Sequence, residues 1–265
     1  MIRSIDHIVI LVYDLELAIA DYTDLGFTVI PGGEHADGAT RNALIVFAEP
    51  DQADSTYLEL IAFKREAPDH RWWQHTRSGE GLIDFAVLPD AIAADIATAG
   101  ERGLAIEGPI PGGRRRPDGQ ELAWHMGFPP TPDLPFLCAD VTPRELRVPG
   151  GVETQHANAA VGIADLTVAV TDLAASVARY RALPGITPLP EAAEVEPGAR
   201  CAAFSLGASS ITLAAPPDNP DSSLRAHLNK RGDGPYALTL RVKSSATIQP
   251  PEETQVHGVP LRFVK

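Results

Sequence analysis

One order of secondary-structure signals occurs twice in this chain. Residues 4–63 read as strand, helix, strand, strand, strand, and residues 81–141 repeat that order. An internal repeat limits the fold more than any single motif. Each copy must bury its apolar face against a unit of the same shape. In the first copy, Ile5 to Val12 is β-branched and apolar on both faces, as a buried strand requires. Asp14 can cap the helix that follows, Leu15, Ala18, Ile19, Tyr22 and Leu25 recur at helical spacing, and Gly26 suits its end. Phe27 to Ile30, Ala43 to Ala48 and Tyr57 to Phe63 complete the unit.

The second copy runs from a strand at Gly81–Leu88 through a helix begun at Pro89-Asp90 to a strand starting at Ala105. Its last two strands are expected at Glu121–Gly127 and Pro135–Asp140, with residues 112–121 as a turn-rich hairpin loop. A third copy opens near Val161, where Asp172, Leu173, Val177, Tyr180 and Leu183 repeat Asp14, Leu15, Ile19, Tyr22 and Leu25. A fourth is only begun, since the PPEE stretch is too short and too proline-rich for a helix. The expected class is α+β, with repeated βαβββ modules forming curved mixed sheets around a cup-shaped pocket. Residues 1–143 form the first domain, 144–160 a linker, and 161–265 a related half with a third module and a truncated fourth. Residues 216–234 also read as linker.

Two polar residues break the oily strands. His7 lies in the first strand and Glu59 in the last strand of the first copy. An ionised carboxylate in such a strand is costly unless a cation or donors meet it, so the two breaks point to one shared site. Imidazole and carboxylate suit Zn, Fe, Mn, Co or Ni. Donors about 2 Å from a common ion would bring polar atoms of the two side chains within about 3–5 Å. The alternative is a neutral His7 hydrogen-bonded to Glu59 as a metal-free core pair. His7 is expected to share its face with Ile5, Val9 and Leu11. Neither alignment of the second copy returns these residues: Phe85 or Ile83 falls on His7, and Leu137 or Cys138 on Glu59. In the third copy Asp165 replaces His7, and Thr212 falls near the Glu59 position.

Three tracts in order, DHIVILVYDLELAIADYTDLGF, GGEHADGATRN and YLELIAF, resemble the vicinal oxygen chelate superfamily, and within it the glyoxalase-like-domain branch. The resemblance implies a small-molecule enzyme, a lyase or isomerase of the glyoxalase type. In it a divalent metal held by His7 and Glu59 polarises vicinal oxygens of the substrate. His35, in the GGEH loop, is then a third ligand or a proton carrier with Glu59, and Asn42 a pocket residue. The branch also has an arginine-rich loop leading to P-D-G with Trp after it. That marks Arg116, Asp118 and Trp124 as substrate-binding, while the solvated-turn reading of Arg114 to Arg116 stays open. His125 follows as a further metal ligand if its face of the strand meets the cup. Two other readings remain: a metal-free binding or sequestration protein of the bleomycin-resistance kind, and a ring-cleaving dioxygenase. Trp72, Trp73, His70 and His75 crowd residues 64–80, read as a connecting helix packing its indoles on a sheet or as a lid.

A net charge of −13 over 265 residues argues against nucleic acid. No apolar run approaches membrane-spanning length, and no signal-peptide core follows the first methionine. Cys138 and Cys201 read as reduced core residues of a cytoplasmic protein. The expected partners are a small anionic or oxygen-rich substrate and, as an assembly, a second copy of the chain.

Overall fold

A computed structural model describes residues 1–48, 54–243 and 250–265. The first half is a closed eight-stranded barrel. Its elements are β1 (Ile2–Leu11), α1 (Leu15–Asp24), β2 (Ile30–His35), β3 (Thr40–Phe47), β4 (Thr56–Phe63), β5 (Gly81–Pro89), α2 (Ile92–Glu101), β6 (Glu107–Arg115), β7 (Glu121–Phe128) and β8 (Phe136–Asp140). Around the barrel the order is β1-β4-β3-β2-β6-β7-β8-β5. A four-residue helix, α3 (Arg144–Arg147), leads to a seven-stranded sheet. That sheet contains β9 (Ala160–Ala169), α4 (Leu173–Ala182), β10 (Thr187–Pro188), β11 (Arg200–Leu206), β12 (Ser209–Ala215), α5 (Ser223–Arg231), β13 (Gly234–Val242), β14 (Glu253–Val256) and β15 (Val259–Val264). The mixed α+β class and the curved sheets are as expected. Among the described residues no helix is long and apolar enough to cross a membrane.

The helices start where side chains can cap them. Asp14 accepts from the Leu17 amide and Asp172 from the Ala175 amide, which fixes the first and third copies in phase. In the second copy Ala91 stands at the cap and gives no side-chain bond, so the helix starts one residue later than Asp90 suggested. Strand pairing fixes the true register. His7 pairs with Ala86 as Val9 pairs with Asp84, and Val9 pairs with Glu59 as Ala86 pairs with Phe136. Asp84 therefore occupies the position of His7, and Phe136 that of Glu59. This corrects both sequence alignments. In the third copy Thr212 pairs with Thr167, the position that Glu59 takes against Val9.

Three segments differ from expectation. GGEH is strand β2 rather than a loop, and Phe27 to Val29 lie before it. Residues 112–115 belong to β6, leaving only 116–120 as the turn. The stretch expected as a second linker contains α5, whose cap is Ser222. Residues 64–80 hold no α-helix. A 3-10 turn runs from Trp73 to Ser78, with His70, Arg71 and Trp72 along the cavity wall.

Two apolar layers flank the barrel wall. Ile5, Ile8 and Ile10 pack outward with Leu15, Ala18 and Tyr22, in a cluster that continues into the second sheet through Ile163, Leu166 and Leu238. Val9, Leu11 and Ile61 face inward with Ala86, Trp124, Phe136 and Cys138. Ile5 thus lies on the opposite side from Val9, because the β1–β5 register shifts between Ile5 and His7. The shift lets the consecutive residues Asp6 and His7 both turn their polar groups inward.

The barrel closes at a short seam, where Glu34 and His35 of β2 pair with Arg115 and Arg114 of β6. Gly33 allows it. Its φ is +128°, and a Cβ there would lie 2.0 Å from the Arg115 carbonyl oxygen. Gly33→Ala is expected to cost at least about 2 kcal/mol by splitting this seam, read as a lower urea midpoint. An unchanged midpoint would show that the seam does not depend on Gly33.

Candidate active site

Four neighbouring strands of the first copy bring polar side chains to one wall of a cavity of about 240 Å³. Glu59, on β4, is the centre, buried on all sides. His7 on β1 presents Nε2 3.6 Å from one of its oxygens, and His35 on β2 presents Nε2 3.4 Å from the other. Asn42 on β3 donates a short hydrogen bond from Nδ2 to the oxygen that faces His35. The far nitrogens of both rings are held: His7 Nδ1 lies 2.6 Å from Asp6, and His35 Nδ1 2.8 Å from the Thr40 hydroxyl. Tyr57 stacks on His7 at 4.7 Å between ring centroids, and Phe136 meets it edge-on. The opposite wall is apolar, with Trp124, Met126, Phe128 and Phe136.

A buried network keeps His7 in place. Asp6 is fully buried and receives Arg147 at 2.8 and 3.0 Å and Arg144 at 2.6 Å. Arg147 also donates to the Tyr57 hydroxyl at 2.9 Å and to both oxygens of Asp140. Its carbonyl oxygen accepts from Arg114 at 3.2 Å. Burial alone would raise the Asp6 carboxyl, but Arg147, Arg144 and His7 hold it well below the usual carboxylate range.

Glu59 behaves similarly. Burial pushes it up, yet the hydrogen bond and charge of His35, the charge of His7 and the Asn42 amide bring it down from 4.5 to about 2. Because its pKa is depressed on folding, its stabilisation is complete above about pH 4.5. It is lost as pH falls towards 2, an effect of up to about 3 kcal/mol. For metal-free protein, the stability difference between wild type and Glu59→Gln is expected to shrink steadily from pH 5 to pH 3. A constant difference in urea melts would contradict an ionised Glu59.

The donor chemistry of His7, Glu59 and His35 suits a divalent transition metal, while their ligand atoms do not all lie within 4.8 Å of one another, so binding one ion would draw the two imidazoles closer together. Two imidazole nitrogens and one carboxylate converge on the cavity with their outer nitrogens anchored, as metal-bound histidines usually are. Among the described residues no Lys or Arg pairs directly with Glu59, so this buried anion lacks a permanent cation. Asp6, His7 and Cys138 form a tighter group, with ligand atoms within 4.8 Å of one another. That group does not fit a metal. Both Asp6 oxygens already serve arginines, and burial pushes the Cys138 thiol up, away from the thiolate a metal needs.

The second copy adds no donor at the matching positions. Phe136 is apolar, and Asp84 is taken by Arg71 at 2.9 Å and the Trp72 indole at 2.7 Å. Of the sequence-predicted residues, His7, His35, Asn42, Glu59 and Trp124 meet at this cavity. His125 does not. It is exposed on the outer face of β7, because alternation gives the inner face to Trp124. Arg116 and Asp118 sit in the β6–β7 turn, 3.0 Å from each other, with Arg116 donating to the Leu146 carbonyl. Arg114 is the member of the triplet that enters the wall. Asp6, Arg144, Arg147 and Tyr57 were not foreseen. The adjacency of Asp6 to His7 is the one sequence signal, and it is readable only once the bulge is known.

The sequence matches the family described as Glyoxalase-like domain over residues 5–183. A search of curated protein sequences gives no match. Among solved structures, a hypothetical protein from Staphylococcus aureus superposes with a TM-score of 0.72 at 14% identity, covering 98% of each chain. A mutant of 4-hydroxymandelate synthase from Streptomyces coelicolor superposes with a TM-score of 0.59 at 16% identity, over 92% of this chain and 72% of that one.

Proposed function

We propose that this chain, which belongs to the glyoxalase-like domain family, is a metal-dependent enzyme acting on a small molecule. The reaction we infer is a lyase or isomerase step of the glyoxalase type. The observation that carries this reading is the placement of Glu59 between two imidazoles whose outer nitrogens are tied down. His7, Glu59 and His35 would hold a divalent metal, which when bound supplies Lewis-acid polarisation of substrate oxygens. Asn42 fixes the orientation of the Glu59 carboxylate, and Thr40 fixes that of His35. Trp124, Met126 and Phe128 keep water from the opposite wall. Glu59, held near 2, is better suited to holding a cation than to drawing a proton from carbon.

Titration of chelator-treated protein with Co2+, followed by absorbance and melting temperature, tests the donor set. His35→Ala is expected to weaken binding by at least about a hundredfold, and Thr40→Ala by about 10–100-fold, since it only orients the ring. Unchanged affinity in His35→Ala would remove His35 from the set. Two imidazoles with one carboxylate are also the donors of non-haem iron oxygenases, which supports a ring-cleaving dioxygenase as the second reading. Selective iron retention with oxygen consumption would favour it.

A further inference from the structure

Arg114 lines this cavity as a buried cation with no carboxylate in direct contact among the described residues. It is 5% exposed. Its guanidinium donates to the Asn42 side-chain oxygen and to the Arg147 carbonyl, both at 3.2 Å and both neutral. Among the described residues no carboxylate pairs with it. The neighbouring arginines are all committed: Arg144 and Arg147 to Asp6 and Asp140, and Arg71 to Asp84. Burial draws Arg114 below its ordinary value, and the charge of Glu59, reached only through Asn42, offsets part of that without a direct ion pair. A guanidinium in that state has a strong demand for an anion.

The backbone is shaped around this side chain. Arg114 stands directly across the β2–β6 seam from His35, so the two lie on the same face. A Cβ on Gly32 would fall 2.4 Å from the Arg114 guanidinium and 2.1 Å from the Asn42 oxygen, so only glycine leaves room for that pair. Gly112 likewise leaves room for the Trp124 indole. The cavity thus has Arg114 with the His7, Glu59 and His35 cluster on one wall and aromatic rings on the other. At about 240 Å³ it is below the range of drug-sized sites, roughly 300–1,000 Å³.

We infer that the substrate is a small carboxylate with a flat apolar body, and that Arg114 binds its carboxylate while the body lies against Trp124, Phe128 and Phe136. This rests on reading the cavity as the substrate site, but not on the metal. The guanidinium fork matches a carboxylate in two hydrogen bonds, and the aromatic wall accepts a planar group.

Calorimetric binding of 3-phenyllactate and its neutral amide, which share the ring and hydroxyl but exchange the carboxylate for an uncharged carboxamide, tests the inference. Wild type is expected to bind the acid at least about tenfold more tightly than the amide, and Arg114→Gln to bring the two within about twofold, with metal content unchanged. The same wild-type preference surviving in Arg114→Gln but vanishing in His7→Ala would overturn the role of Arg114 and leave the metal reading intact. An Arg114-dependent preference in protein that takes up no metal would do the opposite. No preference in wild type would overturn the inference outright. Should Arg114→Gln fail to fold, the crystal structure of wild type with 3-phenyllactate decides: a carboxylate within hydrogen-bond distance of Arg114 supports the assignment, and one placed elsewhere overturns it.

Discussion

Arg147→Met is expected to destabilise the protein by about 3–5 kcal/mol, the usual effect of removing one partner from a buried ion pair. Methionine roughly fills the space of the side chain but leaves three groups short. Asp6, with no exposure, keeps only Arg144 and His7. Asp140 loses two donors, and the Tyr57 hydroxyl loses its own. Burial would lower the Arg147 guanidinium, but Asp6 holds it well above its ordinary value, so the pair is strongly coupled. The double variant Asp6→Asn with Arg147→Met should recover part of the loss, with a coupling of about 2 kcal/mol or more by urea denaturation. Strict additivity would contradict a direct Asp6–Arg147 interaction.

His7→Ala should show the opposite balance: a small effect on stability and a large one on metal. When the ring is removed Asp6 retains both arginines and Glu59 retains His35 and Asn42, so neither buried carboxylate is left without partners. The loss should be about 1–3 kcal/mol, from one hydrogen bond and the packing of Tyr57 and Phe136 on the ring. Metal affinity should fall by at least about a hundredfold, because a donor itself is gone rather than its support. Melting temperature and metal affinity of this one variant separate a ligand from a core histidine. A variant that loses more than about 3 kcal/mol of stability and still takes up metal would make His7 structural.

The fold was legible because its signals are local. Strands buried on both faces are oily whatever their neighbours, and Asp14 and Asp172 mark helix starts through bonds three residues long. Where a local mark is missing the sequence does not set the register: Ala91 offers no cap, and alignment on the aspartates puts Asp84 one residue away from the position of His7 that strand pairing gives it. His7 and Glu59 stood out because polarity inside an oily strand is costly. Alternation correctly separated Trp124 from His125, but only barrel closure decides which of them faces in.

Arg147 was out of reach for a different reason. Its segment has the proline and glycine of a linker, and its partner Asp6 lies 141 residues away. Asp6 needed a cation, but nothing in the sequence says which arginine supplies it. The arginine triplet misled in a similar way. Arg114 and Arg116 differ by one turn of the pleat and the end of a strand, which places one in the cavity wall and the other in a turn.

Elemental analysis of protein purified without added metal decides whether His7, Glu59 and His35 hold a divalent metal. About one equivalent of a single transition metal is expected in wild type and less than about a tenth in Glu59→Gln, with metal raising the melting temperature of wild type alone. Less than about a tenth of an equivalent in wild type, with no rise in melting temperature on adding Zn, Fe, Mn, Co or Ni, would contradict it and leave a metal-free binding protein as the better description.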